Sequence, residues 1–442
     1  MQTPFQLSEI QLALCLVFVL LAPLAGAGVA LINAGLGRSR NAAHAMVAAL
    51  CVIAIATCVC FLCGRAFQGY PGGPAHVIAI AGKPWNWLGN DAWFFRGLVS
   101  FAGSGTGIPL RDAPPVLAAC FAIVCSGLAG LIPLGSGADR WRLAAICSST
   151  ALLAGITFPL FAHWCWGGGW LAQLGVNYGM GRGYLDAGGA GPIHAVGGLT
   201  ALAITWIVGP RRGKYSHDGM PMAIPGHDAV VVLFGCLLAF VGWVGLNAAG
   251  ALLFVGVEPG RVALIGLNTL LGAAAAALVV ALITRVRFGK PDASLTANGW
   301  MSGLVAGSAG CAFLPPAAAF LVGLLAGVLV TLAVELLELR LSVDDPGGAI
   351  SAHAVGGLWG VLAVGLFGRL EAGTPGQLLA QGVGLATLGG FILPLTYGLN
   401  YLLNRATPLR VSQEGEHQGM DLHELGAGAY PEFVTHTEEF MR

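Results

Sequence analysis

The feature that most limits the folds open to this chain is a series of eleven apolar stretches, each long enough to form a membrane-spanning helix of about 20 residues. Inside a bilayer, backbone N–H and C=O groups must be paired within the protein, which a helix achieves by itself. The sequence therefore predicts an all-α integral membrane protein with eleven transmembrane helices. The predicted spans cover residues 10–34, 43–64, 114–134, 142–165, 189–209, 228–248, 261–284, 296–313, 316–338, 350–368 and 379–403.

The composition is typical of a membrane protein and excludes other classes. Hydrophobic residues make up 56% of the chain and charged residues 10%, whereas roughly a quarter of the residues in soluble domains are charged. A soluble enzyme is therefore excluded, and the net charge of zero gives no basis for binding nucleic acid. The glycines favour close helix packing, and the cysteines lie in or beside apolar stretches, where a thiol acts as a small apolar group. No disulfide, metal site or cofactor is predicted.

The distribution of basic residues predicts how the chain lies in the membrane. With the N-terminus outside, fourteen Lys and Arg residues are cytoplasmic and seven are outside, which agrees with the positive-inside rule. The sequence thus predicts a multi-pass protein of the cell inner (plasma) membrane with a cytoplasmic C-terminus. Residues 1–404 form the predicted membrane domain, and residues 405–442 form a cytoplasmic regulatory tail. Two long segments, residues 65–112 and 167–188, are predicted to be ordered outer loops.

A five-residue motif, His-Ala-Val-Gly-Gly, occurs at residues 194–198 and again 159 residues later at residues 353–357. Asp186 and Asp345 each lie eight residues before the histidine of their motif. In the predicted topology the two motifs lie on helices that run in opposite directions. Identical motifs on antiparallel helices indicate an inverted repeat, here of spans 1–5 and 6–10, with an eleventh helix outside it. Functional sites in such folds lie between the repeats near the middle of the membrane.

The histidines of the motif, His194 and His353, are candidates to line a pore. An ionisable side chain within an apolar span is costly and usually faces a cavity or a transport path. Burial disfavours a charged imidazole, so we expect a neutral pair that shares one hydrogen bond and offers one donor and one acceptor to the pore. Such a site suits a small neutral molecule better than a bare cation, and imidazole also relays protons. Two other interpretations stay open: a polar helix-packing contact, and a metal site, for which neither motif supplies a third ligand.

Asp186, Asp345 and Trp166 lie at the predicted ends of spans. Asp345, which Pro346 follows, is expected to cap the N-terminus of its helix. Asp186 either caps its helix in the same way or shapes the electrostatic field of an outer cation site. Trp166 lies at the outer end of span 4, where a tryptophan is either an ordinary interfacial residue or binds a small cation through its π face.

Short motifs distributed along the chain together indicate a family. They are residues 35–41 (Gly-Leu-Gly-Arg-Ser-Arg-Asn), 166–169 (Trp-Gly-Gly-Gly), Asp186 with His194, 209–212 (Gly-Pro-Arg-Arg), 242–248 (Gly-Trp-Val-Gly-Leu-Asn-Ala), and 344–346 (Asp-Asp-Pro) ahead of His353. In this order and spacing they resemble the Amt/Rh ammonium transporter family, and the chain looks like a bacterial Amt-type member with an altered outer site. The resemblance implies transport of ammonium or ammonia by a homotrimer in the lipid bilayer, with one narrow pore in each subunit.

The resemblance also implies roles for individual residues. In the family, ammonium is recruited at an outer aromatic site and deprotonated, and ammonia passes a hydrophobic pore; the route of the proton depends on the member. The corresponding residues are the pore histidines His194 and His353, the gate phenyl Phe121, the recruiting aromatic Trp166 and the nearby structural acid Asp186.

Four positions depart from the family pattern. Leu246 replaces the second phenylalanine of the gate, Leu117 occupies another frequent phenylalanine position, Gly250 replaces a serine that binds the recruited ion, and Gly348 replaces a second acid. Loss of an aromatic face and of a hydroxyl weakens cation binding. We therefore expect weaker ammonium recruitment or a wider gate, and we expect Leu246→Phe with Gly250→Ser to lower the half-saturation concentration for methylammonium uptake.

Two alternatives to an ammonium transporter stay open. The altered recruitment site also fits an Rh-like channel for a neutral gas, NH₃ or CO₂. The second alternative is an ammonium sensor, whose tail signals to a partner while flux is incidental. Within the family resemblance, Gly419, Asp421, Gly426 and Tyr430 match the cytoplasmic segment through which family members bind PII-type signal proteins. Residues 405–442 are too few to form a signalling domain, but they are enough to recruit a partner.

Overall fold

The computed structural model describes residues 7–98, 113–370 and 376–430. All eleven predicted helices are present, with ends within a few residues of the predicted ones, except that α6 continues beyond residue 248 to Val255. The helices are α1 (Glu9–Leu36), α2 (Ser39–Gln68), α3 (Pro114–Gly137), α4 (Leu143–Cys165), α5 (Ala190–Val208), α6 (Ala229–Val255), α7 (Arg261–Phe288), α8 (Ala293–Gly310), α9 (Pro316–Leu339), α10 (Ala349–Phe367) and α11 (Gln377–Ala406).

Ten of these helices are long and apolar enough to cross a membrane, and α8 is the exception. It carries the buried polar residues Asn298, Ser302 and Ser308. Ser302 Oγ donates to the carbonyl oxygen of Ala326, and Ser308 Oγ accepts from the indole Nε1 of Trp243 at 3.0 Å. Because the two serine hydroxyls pair with neighbouring helices, they lower the hydropathy of α8 without presenting unpaired groups to lipid.

The inverted repeat brings its corresponding helices into backbone contact. A Cβ atom at Gly28 of α1 would lie 2.5 Å from the backbone nitrogen of Ala239 in α6. A Cβ atom at Gly242 of α6 would collide with the backbone nitrogen of Ala25 in α1. Glycine on each helix therefore permits the close approach of these two repeat-related helices.

The same kind of contact explains the last glycine of each His-Ala-Val-Gly-Gly motif. A Cβ atom at Gly198 in α5 would lie 2.7 Å from Cα of Ala354 in α10. A Cβ atom at Gly357 in α10 would lie 2.9 Å from the backbone nitrogen of Ala195 in α5. The contact is reciprocal, so the two motifs cross each other at the interface between the repeats.

The segment that follows α2, predicted to be an ordered loop, contains an antiparallel hairpin. Strand β1 (Ala75–Ile80) pairs with β2 (Lys83–Gly89) across the two-residue turn formed by Ala81 and Gly82. Both turn residues have positive φ, 51° and 74°, as a tight hairpin turn of this length requires. We call this end of the bundle the hairpin face. Residues 99–112 of the predicted loop lie outside the described residues.

The second predicted loop packs against the hairpin. It contains a short helix, Leu174–Tyr178. The indole of Trp85 in β2 stacks on that of Trp170, with centroids 5.1 Å apart, and donates from Nε1 to the hydroxyl of Tyr178 at 3.0 Å. The two segments thus form one ordered layer over the bundle.

The opposite end of the bundle, which we call the tail face, holds a buried ionic cluster. Arg211 donates from Nε and Nη2 to the carboxylate of Asp344 at 2.9 and 3.0 Å, and its Nη1 lies 3.2 Å from Asp139. Arg140 donates to the backbone oxygen of Asp344, and Arg38 lies 3.4 Å from Asp139. Burial raises the pKa of Asp344, but the hydrogen bonds and charges of Arg211 and Arg140 outweigh it and hold this pKa below its ordinary value. The cluster ties together four interhelical connections.

The described part of the tail, residues 407–430, lies across the tail face. The carboxylate of Asp421 accepts from the backbone N–H groups of Ala43 and His44 near the start of α2, at 3.1 and 2.7 Å. Glu424 accepts from the backbone N–H of Leu143, the first residue of α4, at 2.8 Å. Acidic side chains at these positions satisfy unpaired N–H groups and interact favourably with the helix dipoles.

Candidate functional site

The two histidines of the repeated motif meet at the centre of the bundle. Their Nδ1 atoms are 3.4 Å apart, and their ring centroids are 5.3 Å apart. His194 is completely buried and His353 is 5% exposed. Each lies in a wider π-helical turn at the start of its helix, Ala190–Ala195 in α5 and Ala349–Val355 in α10.

This geometry sets the hydrogen-bonding capacity of the pair. One Nδ1 carries the proton and donates to the other, so the first imidazole has an unprotonated Nε2 and the second has an Nε2–H group. Whichever histidine donates, the two Nε2 atoms together offer one donor and one acceptor. Nε2 of His194 is buried and has no partner among the described residues. The pair can therefore bind a small molecule that both donates and accepts.

Trp243 in α6 fixes the ring of His194. The two rings are stacked, with centroids 4.7 Å apart and planes 8° apart, and the indole Nε1 is anchored on Ser308 of α8. Trp243 lies in one of the motifs that carry the family resemblance, but residue type alone gave it no role. One feature of the sequence could have indicated that Trp243 faces the interior: it lies four residues before the polar Asn247, so both lie on the same face of α6.

A small cavity lies on the tail-face side of the histidines. Its volume of about 10 Å³ is close to the minimum that holds one water molecule. Apart from Asn33, Asn298 and the imidazole of His353, its walls are apolar side chains and glycine. The lining residues are Val29, Ile32, Asn33, Ile132, Asn298, Met301, Gly347, Ala349, Ala352 and His353.

The aspartates that precede the motifs occupy corresponding positions. The carboxylate of Asp186 accepts from the backbone N–H groups of Gly189, Ala190 and Gly191 at 2.6, 3.1 and 2.6 Å. Asp345 accepts from the backbone N–H groups of Ile350 and Ser351, both at 3.0 Å, and from the hydroxyl of Ser136 at 2.6 Å. Both aspartates thus cap the helices that carry the histidines, which favours capping over a cation-binding field for Asp186 as well.

The glycines before the two helices correspond in the same way. Gly189 and Gly348 have φ of 95° and 65°, a left-handed conformation that glycine adopts at little cost. An acid at position 348 would adopt this conformation only with strain. Burial raises the pKa of Asp186, and the hydrogen bonds from backbone N–H groups lower it. Burial has the larger effect, and the resulting pKa is about 6.

An aromatic cluster lies between the histidines and the hairpin face. The rings of Trp166 and Phe254 are stacked, with centroids 4.9 Å apart and planes 5° apart. Phe121 packs against both rings, with centroid distances of 5.7 and 5.8 Å. The indole Nε1 of Trp166 donates to the backbone oxygen of Asp186 at 2.7 Å. Sequence reasoning placed Trp166 and Phe121 here but missed Phe254, because it assigned residue 248 as the end of α6.

Leu246, Gly250 and Phe254 lie four residues apart along one face of α6. Leu246 is completely buried, and Leu117 is 5% exposed, one turn before Phe121 in α3. A Cβ atom at position 250 would collide with the carbonyl oxygen of Ala187 and lie 3.3 Å from Cζ of Phe121. Phe121, Trp166, Asp186 and Gly250 are therefore brought together, but position 250 has no volume for a serine.

A larger cavity of about 330 Å³ opens above this cluster on the hairpin face. Its lining includes Trp166, Phe254, Tyr184 and Arg182. Trp166 is only 2% exposed, so its ring contributes little surface to this vestibule.

Of the four tail residues predicted to bind a partner, Gly419 and Asp421 are packed against the start of α2, whereas Gly426 and Tyr430 are exposed. Asp421 is 1% exposed at the start of α2. Gly419 and Gly426 have φ of 104° and 72°, and the Tyr430 hydroxyl is 2.9 Å from Nε2 of His227. Among the described residues, no group of three or more His, Cys, Asp or Glu side chains is placed to hold a metal ion.

Comparisons with known proteins agree with this fold. Residues 12–430 match the model of the Ammonium Transporter Family. The chain is 34% identical over 431 residues to the ammonium transporter Amt2 of Archaeoglobus fulgidus, covering 93% of this chain and 86% of that protein. It is 32% identical over 423 residues to the ammonium transporter Amt2 of Haloferax mediterranei, covering 92% and 87%.

Two solved structures extend the likeness to three dimensions. A protein described as a sensor Amt protein superposes with a TM-score of 0.82 at 26% identity, covering 94% of this chain and 98% of that one. Mep2 of Candida albicans superposes with a TM-score of 0.76 at 21% identity, covering 98% and 92%, which supports the fold alone. The two crossing helices that carry the paired histidines lie within a family match that spans nearly the whole sequence. This chain therefore belongs to the Ammonium Transporter Family, whose members are membrane transporters of ammonium and not enzymes.

Proposed function

We propose that the protein moves ammonium nitrogen across the membrane as ammonia, along a path from the vestibule on the hairpin face, past the aromatic cluster and the histidine pair, to the tail face. The observation that carries the proposal is the 3.4 Å contact between Nδ1 of His194 and Nδ1 of His353. Ammonia donates and accepts hydrogen bonds, so it matches the one donor and one acceptor that the pair offers.

The surroundings of the pair favour the neutral species. Apart from two asparagines, the cavity beside His353 is lined by apolar side chains and glycine. A charged ion in such a place loses its hydration without compensation. Ammonium therefore gives up its proton before it reaches the cavity. The proposal includes a separate passage of this proton by relay through the imidazoles of the histidine pair, so that one positive charge crosses the membrane with each ammonia molecule.

The proposal includes the assembly and its orientation. The protein forms a homotrimer in the lipid bilayer of the plasma membrane, with the hairpin face outside and the tail face in the cytoplasm. The basic residues Arg38, Arg140 and Arg211 on the tail face support this orientation. A PII-type signal protein is the proposed partner of the tail. Because Gly419 and Asp421 are docked at the start of α2, contact of the partner with these two residues requires that part of the tail to detach.

Ammonium-evoked current in proteoliposomes, recorded together with internal pH, tests the pore. We expect wild type to give a current, and His194→Ala and His353→Ala to lose most of it, because each change removes half of the donor and acceptor pair. His217→Ala is the matched control, since His217 is exposed in the connection between α5 and α6. Unchanged currents in both pore variants would refute the proposed route.

The same recording separates the alternatives. A neutral-gas channel of the Rh type raises internal pH without a current. An ammonium sensor gives neither signal. The sensor is the second candidate, and two observations favour it: the likeness to the sensor Amt protein and the closed stack of Trp166 on Phe254 at 4.9 Å.

A further inference from the structure

We propose that Phe254 controls access to the recruitment site: its ring covers the π face of Trp166 and must rotate away before a small primary ammonium cation binds there. This inference rests on the proposed function, because it concerns the entry of the same substrate. Residue 254 belongs neither to the histidine pair nor to the predicted gate of Phe121, Leu246 and Leu117.

The geometry of the stack leaves no room for a cation. The centroids of Trp166 and Phe254 are 4.9 Å apart with nearly parallel rings, so the ring planes are no farther apart than that distance. A cation held between two rings needs planes about 7 Å apart, twice the van der Waals separation of ~3.5 Å. Phe254 therefore competes with a cation for the face of Trp166 instead of forming the second wall of a cation cage.

The remaining surface of Trp166 is also covered. Phe121 packs at a tilt against the indole, with a centroid distance of 5.7 Å, and Trp166 is 2% exposed overall. A cation gains from a π face only when it lies over the ring within about 6 Å of its centroid. In this conformation no ammonium ion from the vestibule can reach such a position.

The packing along α6 explains why the ring is at position 254. Leu246, Gly250 and Phe254 follow one another on the same face of the helix. Leu246 supplies no aromatic ring, and Gly250 lets Phe121 and the Ala187 carbonyl pack directly against the helix. The phenyl group is thus two helical turns closer to the hairpin face than the position of Leu246.

The local backbone is suited to movement of this ring. Residues Ala251–Val255 form a π-helical turn, and Gly256, which follows, has φ of 69° and ends the helix. Such turns are rare and frequently occur at functional sites. Phe254 is half-buried and borders the vestibule of about 330 Å³, so its ring can rotate into this space without displacing the bundle.

The test compares methylammonium binding and transport in full-length wild type, Phe254→Ala, Phe254→Leu and Phe234→Ala. Calorimetric titration of purified protein gives the dissociation constant, and uptake into proteoliposomes gives the half-saturation concentration. Phe234 is the matched control, because it lies on the same helix with 58% of its surface exposed. Thermal unfolding of each variant shows whether it is folded.

We expect Phe254→Ala to lower both constants by about two- to tenfold, the range that corresponds to the loss of one competing aromatic stack. Phe254→Leu keeps apolar bulk without a flat ring, so its constants should lie between those of wild type and of the alanine variant. Phe234→Ala should equal wild type. Unchanged or weaker binding in Phe254→Ala overturns the proposal.

The two measurements also separate this inference from the proposed function. If wild type binds methylammonium but takes up none, transport is refuted, while the ratio of dissociation constants still decides the role of Phe254. If neither wild type nor Phe254→Ala binds methylammonium, the proposed role of Phe254 is overturned.

Discussion

Gly250 lies where α6 meets the segment that precedes α5, and the contact leaves no volume for a side chain. The Ala187 carbonyl oxygen and the ring of Phe121 occupy the space that a Cβ atom would need. The backbone of Ala187 is held in place from the other side, because its N–H donates to the carbonyl oxygen of Ala309 in α8 at 3.0 Å. A serine at position 250 therefore requires a backbone shift next to Asp186.

This contact changes the expectation for Gly250→Ser. In place of tighter methylammonium recruitment, we expect the substitution to lower the free energy of unfolding by about 1–3 kcal/mol, the usual cost of overpacking. Thermal unfolding of the purified protein is the measurement. Gly307→Ser is the matched control, because Gly307 is buried in α8 and a Cβ atom there meets nothing within 4 Å. Equal unfolding temperatures for the two variants would contradict the prediction.

Residue types alone could identify part of the site. His194, His353 and the two aspartates stand out because polar groups are costly in apolar spans, and the repeat pairs them. Phe254 could not be identified in this way, because a phenylalanine in an apolar stretch looks the same whether it faces a pore or lipid. Phe234 on the same helix is 58% exposed, and only the packing of the folded helix separates the two positions.

At the scale of elements, ten of the eleven helices follow from apolar stretches long enough to span a membrane. The sequence also predicts α8, although its buried polar residues lower its hydropathy. The end of α6 was missed because the predicted span was limited to the length of about 20 residues that crosses a bilayer, although residues 249–255 remain apolar and contain no helix-breaking proline. The hairpin was missed because its turn, Ala81–Gly82, is not one of the strongest turn dipeptides. The crossing of α5 and α10, in contrast, follows from the repeated glycines.

The close crossing of α5 and α10 leads to a prediction about the distance between His194 and His353. Gly357→Ala puts a methyl group 2.6 Å from the carbonyl oxygen of Ala190 and 2.9 Å from the nitrogen of Ala195, so the helices must separate. We expect a destabilisation of about 1–3 kcal/mol and a loss of most ammonium-evoked current, because His194 and His353 move apart. Gly127→Ala is the control, since a Cβ atom at this buried position in α3 meets nothing within 4 Å. Wild-type current and stability in Gly357→Ala would rule out this account of the motif.

At the scale of the whole molecule, the tail face combines a buried ionic cluster with a docked tail. Arg410 of the tail donates to the carbonyl oxygen of Val208 at the end of α5 and to the carboxylate of Glu416, both at 2.7 Å. Asp421 binds at the start of α2 and Glu424 at the start of α4. The tail thus places acidic side chains at the N-termini of two helices and a basic side chain at the C-terminus of a third. The sequence could not reveal these partners, because helix termini come together only in the folded bundle.

The capping role of Asp421 predicts how firmly the tail is docked. Asp421→Ala removes the acceptor for the N–H groups of Ala43 and His44, at a cost of about 1 kcal/mol, which corresponds to a roughly fivefold increase in the detached fraction. Trypsin cleavage after Arg410 measures this fraction, because the guanidinium donates to the carbonyl oxygen of Val208 at the end of α5 only while the tail is docked.

Two further variants make the measurement specific. Asp421→Asn retains one acceptor oxygen, so its cleavage rate should lie between those of wild type and the alanine variant. Glu414→Ala changes an exposed acid of the same tail and should be cleaved at the wild-type rate. If all four proteins are cleaved equally fast, the contacts of Asp421 do not hold the tail, and detachment of the tail for a partner would then have no energetic cost at this residue.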